Sequence, residues 1–320
     1  MLIALIIGIA FFVYSLSADN ERELVAAGKF VTIVMAILLP STAIAYLLRG
    51  QTISEITDAL IVIALYWLLL PVLNALIYCY TVGLGFIDAF FESMSGFSGT
   101  GLTILSKPEE IPYTILVWRA ATQWIGELSV VVFSGALLPY IHRIMSRVYI
   151  AERGVRFAPT ILSTTRRMMA IYIAITLLGT VMLMYSGMSF LDALAHSMTG
   201  VATGGMSTNS QNIAYWYNIY GPAVLVSSTI IMVLGALNFA DLHNLFRGKV
   251  KQFAKGLEVK WLFGTASILA IVTALIAYTV FGGSYEGIGF SVYNMVSGLT
   301  TTGFQVGDIG SYPDLLKIAF

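Results

Sequence analysis

The chain has 320 residues, 58% of them hydrophobic and only 11% charged, and its 17 Lys and Arg residues balance its 17 Asp and Glu residues. With a mean hydropathy of +0.85, this composition excludes an ordinary soluble domain and marks an integral membrane protein. A single cysteine, Cys79, excludes a disulfide framework and a cysteine-based metal centre, and no lysine follows a glycine cluster as an ATP-binding loop requires.

In chain order, the apolar runs that read as membrane segments are Leu2–Leu16, Val25–Leu48, Ala59–Tyr80, Pro112–Tyr140, Met168–Tyr185, Tyr215–Leu237 and Trp261–Phe281. The first has the length of a signal peptide, but it lacks a basic leading region and Ser15 to Ala18 is a weak cleavage site, so it reads as a helix. The expected fold is an all-α polytopic membrane protein, multi-pass in the plasma membrane and surrounded by lipid.

Charge sets the orientation. Of the 17 basic residues, 11 lie in two connections: Arg143, Arg147, Arg153, Arg156, Arg166 and Arg167 in one, and Arg247, Lys249, Lys251, Lys255 and Lys260 in the other. The positive-inside rule makes both cytoplasmic. Glu109, Glu110, Glu286 and Asp308 then face outward, and counting back places the N-terminus in the cytoplasm and the Asp19–Glu23 loop outside. The basic connections are short, lie between helices and lack interleaved aromatics, which argues against nucleic acid as a partner.

Between the apolar runs a pattern recurs three times: SMSGFSGTGL (Ser93–Leu102), SMTGVATGGM (Ser197–Met206) and MVSGLTTTGF (Met295–Phe304). Each copy ends in a glycine and an apolar residue, with a second glycine five residues earlier, and the end glycines Gly101, Gly205 and Gly303 are about 100 residues apart. The segments leading in, Phe86–Phe97, Phe190–Val201 and Ile288–Leu299, would each be roughly 18 Å long as helices, too short for a hydrocarbon core of about 30 Å. They read as re-entrant half-helices, which lipid tolerates only where the irregular continuation is buried or lines water. The predicted order is two extra N-terminal helices (1–56), a first helix–pore half-helix–helix repeat (57–140), a basic connection (141–167), a second repeat (168–237), a second basic connection (238–260) and a third, incomplete repeat (261–320), all around a central ion pathway.

Asp88 and Asp192 fall near the starts of the first two half-helices and read as caps; the third has Phe290 there and is capped by Ser291 or not at all. Glu92, His196 and Asn294 correspond one turn further along. They either tune the electrostatics of the site or hydrogen-bond to the backbone behind the glycines.

A cation entering a membrane exchanges its hydration water for other oxygens, and rings of backbone carbonyls supply them. Small or hydroxylated residues followed by glycine suit the backbone angles this demands. Gly99, Thr100, Gly101, Thr203, Gly204, Gly205, Thr301, Thr302 and Gly303 are the candidate filter residues, with the half-helix C-termini aiming their negative dipole ends at the same centre. The cation is cargo, and neither a cofactor nor an enzymatic activity is expected.

A threonine-and-glycine filter after a half-helix, repeated in one chain, resembles the Trk/Ktr/HKT superfamily, and its TrkH branch most. The stretches that carry the resemblance are Asp88-Ala-Phe-Phe-Glu-Ser-Met-Ser-Gly96, Trp118-Arg119 with Gln123-Trp124-Ile125-Gly126, Ala202-Thr-Gly-Gly-Met-Ser207, Leu234-Gly-Ala-Leu-Asn-Phe239 and Thr300-Thr-Thr-Gly-Phe304. The resemblance implies potassium uptake, with one filter glycine per repeat at Gly101, Gly205 and Gly303, a homodimer, and a cytosolic TrkA-type nucleotide-binding regulatory subunit docking on the basic connections. Glu127 departs from it, standing where the family usually has a second glycine after Trp124-Ile125-Gly126. The family also has four repeats, so the third repeat ending at Phe320 implies a longer product or a companion chain.

Rival readings differ in class. Gly96-Phe97-Ser98-Gly99 fits the motif of an intramembrane serine protease, with His196 as the base. Gly200-Val-Ala-Thr-Gly204 has the spacing of a helix-packing face. A non-conducting membrane fragment or subunit is the third.

Overall fold

The computed structural model describes residues 1–18, 20–50, 56–130 and 161–318. Among them the regular structure is helical, without a strand, as lipid demands: an amide with no water near it must bond within its own segment. A hairpin of α1 (Leu2–Ser17) and α2 (Glu21–Leu47) leads. Asn20 starts α2 by accepting the Glu23 N–H at 3.1 Å.

The first repeat follows as α3 (Ile56–Thr81), the short α4 (Phe86–Phe97) and α5 (residues 113–130). The second comprises α6 (Ile161–Tyr185), the short α7 (Phe190–Val201), α8 (Ile213–Tyr220) and α9 (Ala223–Ala236). Two small helices, α10 (Phe239–Phe246) and α11 (Val250–Lys255), carry the chain through the second basic connection. The third repeat has α12 (Leu257–Val280), α13 (Tyr285–Leu299) and the turn-long α14 (Asp314–Lys317). In each repeat the half-helix packs on the helix before it: α4 on α3, α7 on α6, α13 on α12.

Among the described residues, four stretches, Glu21–Leu47, Leu60–Thr81, Arg166–Tyr185 and Leu257–Val280, are single helices long and apolar enough to cross a bilayer. Ile268, Ile271 and Leu275 stay exposed on α12, a face for lipid rather than water.

The predicted Tyr215–Leu237 span is not one helix. Gly221 ends α8 at a φ of +77°, and Pro222, which has no N–H to donate, precedes α9. Asn238 then caps α10 by accepting the Ala240 N–H at 2.8 Å, and the chain turns by 115° between α9 and α10.

The first two half-helices have the predicted bounds; the third starts at Tyr285 rather than Ile288, because the Ser284 side chain accepts from Gly287 N–H. The expected caps also need correction. Ser189, not Asp192, caps α7 by accepting the Asp192 N–H at 3.2 Å, and Asp192 accepts the Ser189 hydroxyl at 2.7 Å. α4 begins at Gly85 with no side-chain cap, which leaves Asp88 only its place in the first turn, facing the positive end of the helix dipole. Ser291 lies inside α13 and donates to Gly287 O. Residues 131–140 of the predicted Pro112–Tyr140 run, and Arg143, Arg147, Arg153 and Arg156, lie outside the described residues, whereas Arg166 and Arg167 fall within α6.

Two cores result. One joins the leading hairpin to the first repeat through Phe30, Tyr78, Phe97, Ile115 and Trp118; the other joins the second and third repeats through Tyr172, Leu183, Trp216, Ile231 and Phe304. Asn74 fastens the first core, accepting Trp118 Nε1–H at 2.7 Å and donating to Ser93 Oγ at 2.9 Å. Those two bonds tie α3 to both the half-helix and the returning helix of its repeat.

Candidate ion-conduction site

Every half-helix ends in the same hydrogen-bonded turn. In the first, Gly99 N–H bonds Gly96 O and Thr100 N–H bonds Ser95 O, both at 3.1 Å. The second pairs Thr203 with Gly200 (3.1 Å) and Gly204 with Thr199 (2.8 Å); the third pairs Thr301 with Gly298 (3.0 Å) and Thr302 with Ser297 (2.9 Å). This is the Schellman closure, which places the residue after the cap in the left-handed region. Gly99 is there at a φ of +68°, and Thr203 and Thr301 follow at +50° and +57° although both are β-branched. Such a residue costs about 1–2 kcal/mol there, strain that persists only where the surroundings over-determine it.

Two residues on, φ is positive again at Gly101 (+78°), Gly205 (+65°) and Gly303 (+84°), whereas Thr100, Gly204 and Thr302 between them are not in that region. Alternating hand of this kind aligns successive peptide units instead of opposing them as a strand does, which is what a carbonyl-lined passage requires.

The three turns meet at one cavity of about 430 Å³, lined by Thr100 and Gly101, by Gly204 and Gly205, and by Thr301, Thr302 and Gly303. Seven of the nine candidate residues therefore share one wall; Gly99 and Thr203 are not among the lining residues and supply left-handed turns behind it. A methyl group at Gly101 would fall on the Gly204 carbonyl, and one at Gly205 on the Thr302 carbonyl. These glycines serve both the backbone angle and the close approach of the next repeat.

The earlier glycines do a different job. A methyl at Gly96 would strike Thr122 of α5, and one at Gly200 would strike Ile231 of α9. Reciprocally, Gly126 of α5 lies against Phe97 O, and Gly235 of α9 against Gly200 O and Val201 O. The returning helices α5 and α9 thus seat on the half-helices α4 and α7 at equivalent places, and Glu127, next to Gly126, leaves that seating intact.

The residues nine before Gly101, Gly205 and Gly303 anchor the chain just beyond each of these glycines. Glu92 Oε2 accepts from Ile104 N–H at 3.1 Å, and Asn294 both donates to Val306 O (2.9 Å) and accepts from Val306 N–H (3.0 Å). His196 Nδ1 faces Asp192 O at 2.7 Å, an acceptor only, so Nδ1 carries the hydrogen and Nε2 accepts from Ser207 Oγ at 2.9 Å. Glu92 is fully buried and also pairs with Arg119 Nε at 2.6 Å.

Other side chains join one repeat to the next. From α5, Gln123 Nε2 donates to Gly204 O at 2.8 Å while its Oε1 accepts from Met206 N–H at 3.3 Å, so the amide spans Gly205. Arg119 donates to Ser207 O at 2.9 Å. Asn212 donates to Gly205 O at 3.4 Å and accepts from Gln305 N–H at 3.3 Å, linking the second glycine turn to the third. A carbonyl oxygen has two lone pairs, so one such bond leaves the other for a cation.

The profile of the TrkH family, described as a cation transport protein, matches residues 27–320. The chain belongs to the TrkH family. It is 34% identical over 254 residues to the uncharacterized cation transporter MJ1485 of Methanocaldococcus jannaschii, covering 79% of this chain and 51% of that one. It is 27% identical over 271 residues to the Trk system potassium uptake protein TrkH of Escherichia coli K12, covering 82% and 56%. The crystal structure of the potassium transporter TrkH from Vibrio parahaemolyticus shares the fold at a TM-score of 0.80 and 23% identity, covering 99% of this chain and 66% of that one. The chain thus spans little more than half the length of the curated relatives named here.

Within the family frame, Arg119 and Gln123 belong to stretches that carried the resemblance, yet sequence reasoning gave neither a role. The available signal was their polarity inside an apolar helix. Asn212 gave no such signal, since it lies between helices. The protease pair is not assembled: both His196 ring nitrogens are engaged as described, and Ser98 Oγ lies 2.7 Å from Thr100 Oγ1. The packing reading of Gly200 has a real contact, with Ile231, whereas Gly204 lies against Gln123.

Proposed function

We propose that this membrane protein carries potassium ions into the cell through a passage lined by backbone carbonyls at its repeated glycine turns. The observation that carries the reading is the convergence of the three Schellman-closed turns, with matching signs of φ, on one cavity. Oxygens of Thr100, Gly101, Gly204, Gly205, Thr302 and Gly303 would replace hydration water, and the C-terminal ends of α4, α7 and α13 would add their negative dipole potential. The names of the relatives support potassium as cargo. The resemblance also implies a fourth filter segment, and the flank of Gly303, where a methyl group would meet nothing within 4 Å, has room for one.

The basic residues Arg247, Lys249, Lys251 and Lys255, gathered around α10 and α11, support a cytoplasmic N-terminus in the plasma membrane. They are also the surface on which a TrkA-type regulatory subunit would dock, and a homodimer is the assembly the resemblance implies. Expression of the full-length protein in cells lacking potassium uptake should restore growth at limiting potassium. Failure to do so with protein present in the membrane would sink the reading.

A further inference from the structure

Among the described residues lining the filter cavity there is one ionisable side chain, and it is the cationic Arg119. A fixed positive charge on the wall of a cation's path opposes entry, because in a poorly hydrated site the repulsion is screened far less than in water. Arg119 is 3% exposed and Glu92 is buried completely, so water does little to soften the charge. What stands against it is Glu92. Its Oε1 receives Arg119 Nε–H at 2.6 Å, and the same carboxylate takes the Thr103 hydroxyl at 2.9 Å and Ile104 N–H at 3.1 Å. Arg119 in turn donates to Ser207 O, just past the filter of the next repeat. The corresponding place on α9, found by aligning Gly126 with Gly235, is Ser228, which carries no charge and meets the Tyr293 hydroxyl at 2.9 Å.

We infer that the Glu92–Arg119 pair is a specificity-determining element of the cavity. Arg119 positions the exit of the second filter segment, and Glu92 cancels the charge this positioning introduces, so the cavity still admits a cation. The inference rests on the cation-transport reading and adds to it a pair whose two members have opposite electrostatic effects.

The test uses the full-length protein in liposomes, with Glu92→Gln, Arg119→Gln and the double variant, each checked for folding by size-exclusion profile and thermal melt. Glu92→Gln should lower potassium flux about tenfold, and the loss should persist as an impermeant salt is raised, because a buried charge is screened little. Adding Arg119→Gln should restore flux to within about threefold of wild type while the potassium-over-sodium ratio falls, since the Ser207 contact is gone. A Glu92→Gln protein with wild-type flux, or a folded double variant as inactive as Glu92→Gln, would overturn the inference and leave the transport reading standing. Wild-type liposomes without cation flux would overturn both. Should Glu92→Gln fail to fold, Glu92→Asp decides: a longer, weaker pair should give the same loss in smaller measure, and unchanged flux would overturn the inference.

Discussion

Glu23 of the leading hairpin caps α5, accepting Tyr113 N–H at 3.0 Å and Thr114 N–H at 2.6 Å from residues 90 and 91 positions later. The Thr114 hydroxyl donates to the same carboxylate. A buried carboxylate at a helix start satisfies orphan amides and faces the positive end of the dipole. The hairpin is therefore fastened to the helix that carries Arg119 and Gln123.

Removing that carboxylate should be costly. Glu23→Ala leaves buried amides unpaired, at about 1–3 kcal/mol, and should lower the melting temperature of the detergent-solubilised protein. Glu23→Gln keeps an acceptor and should cost less. Equal melts for wild type and Glu23→Ala would show that the cap contributes nothing.

Gln123 can be tested against its own counterpart. The register that aligns Gly126 with Gly235 places Met232 opposite Gln123, so Gln123→Met swaps in an apolar residue the fold already accommodates at the equivalent site. It should preserve folding, release Gly204 O and Met206 N–H, and reduce the potassium-over-sodium permeability ratio severalfold, about 1 kcal/mol in relative barrier. Reversal potentials in bi-ionic conditions measure this; an unchanged ratio would mean that the filter holds its shape without the amide.

Much of this was legible beforehand, for physical reasons. Lipid forces long apolar helices, so most spans could be read from hydropathy, and the half-helices Phe86–Phe97 and Phe190–Val201 showed themselves by being too short to cross. Glycine at a positive φ is required by the turn itself, so Gly101, Gly205 and Gly303 stood out. The break at Gly221-Pro222 was hidden because apolar residues continue on both sides. The latches were hidden for another reason: Gln123, Arg119 and Asn212 act on backbone atoms more than 80 residues away, or on both neighbours of a turn, and no local spacing records such a partner.

Thr203 and Thr301 offer a test of stored strain. Thr203→Gly removes about 1–2 kcal/mol of left-handed strain but adds about 0.5–1 kcal/mol of backbone entropy loss on folding, so stability should change little or rise slightly. Selectivity should fall, because a glycine leaves the turn free to open. Gly101→Ala should behave oppositely, since its methyl meets the Gly204 carbonyl, and should abolish flux. Side-by-side melts and flux assays of the two variants check the pair, and a strongly destabilised Thr203→Gly would refute the strain argument.

The loop between α4 and α5 carries a pH dependence with a definite sign. Glu109 joins the first repeat to the second by accepting Ser210 N–H at 2.9 Å and the Ser210 hydroxyl at 2.7 Å, and Ser210 lines the cavity where the three glycine turns meet. Burial pushes the Glu109 carboxyl up, but hydrogen bonds from its own amide and from Ser210, with Lys107 nearby, outweigh that and hold it below its ordinary value. A group depressed in the folded state stabilises the fold above its unfolded pKa and loses that contribution as pH falls through the folded one. The acid limb that Glu109 contributes to the flux should therefore lie at lower pH than an unperturbed glutamate would give. Glu109→Gln, which cannot ionise, should remove that acid limb of the pH profile in liposomes, and a limb of the same shape in the variant would assign it to another group.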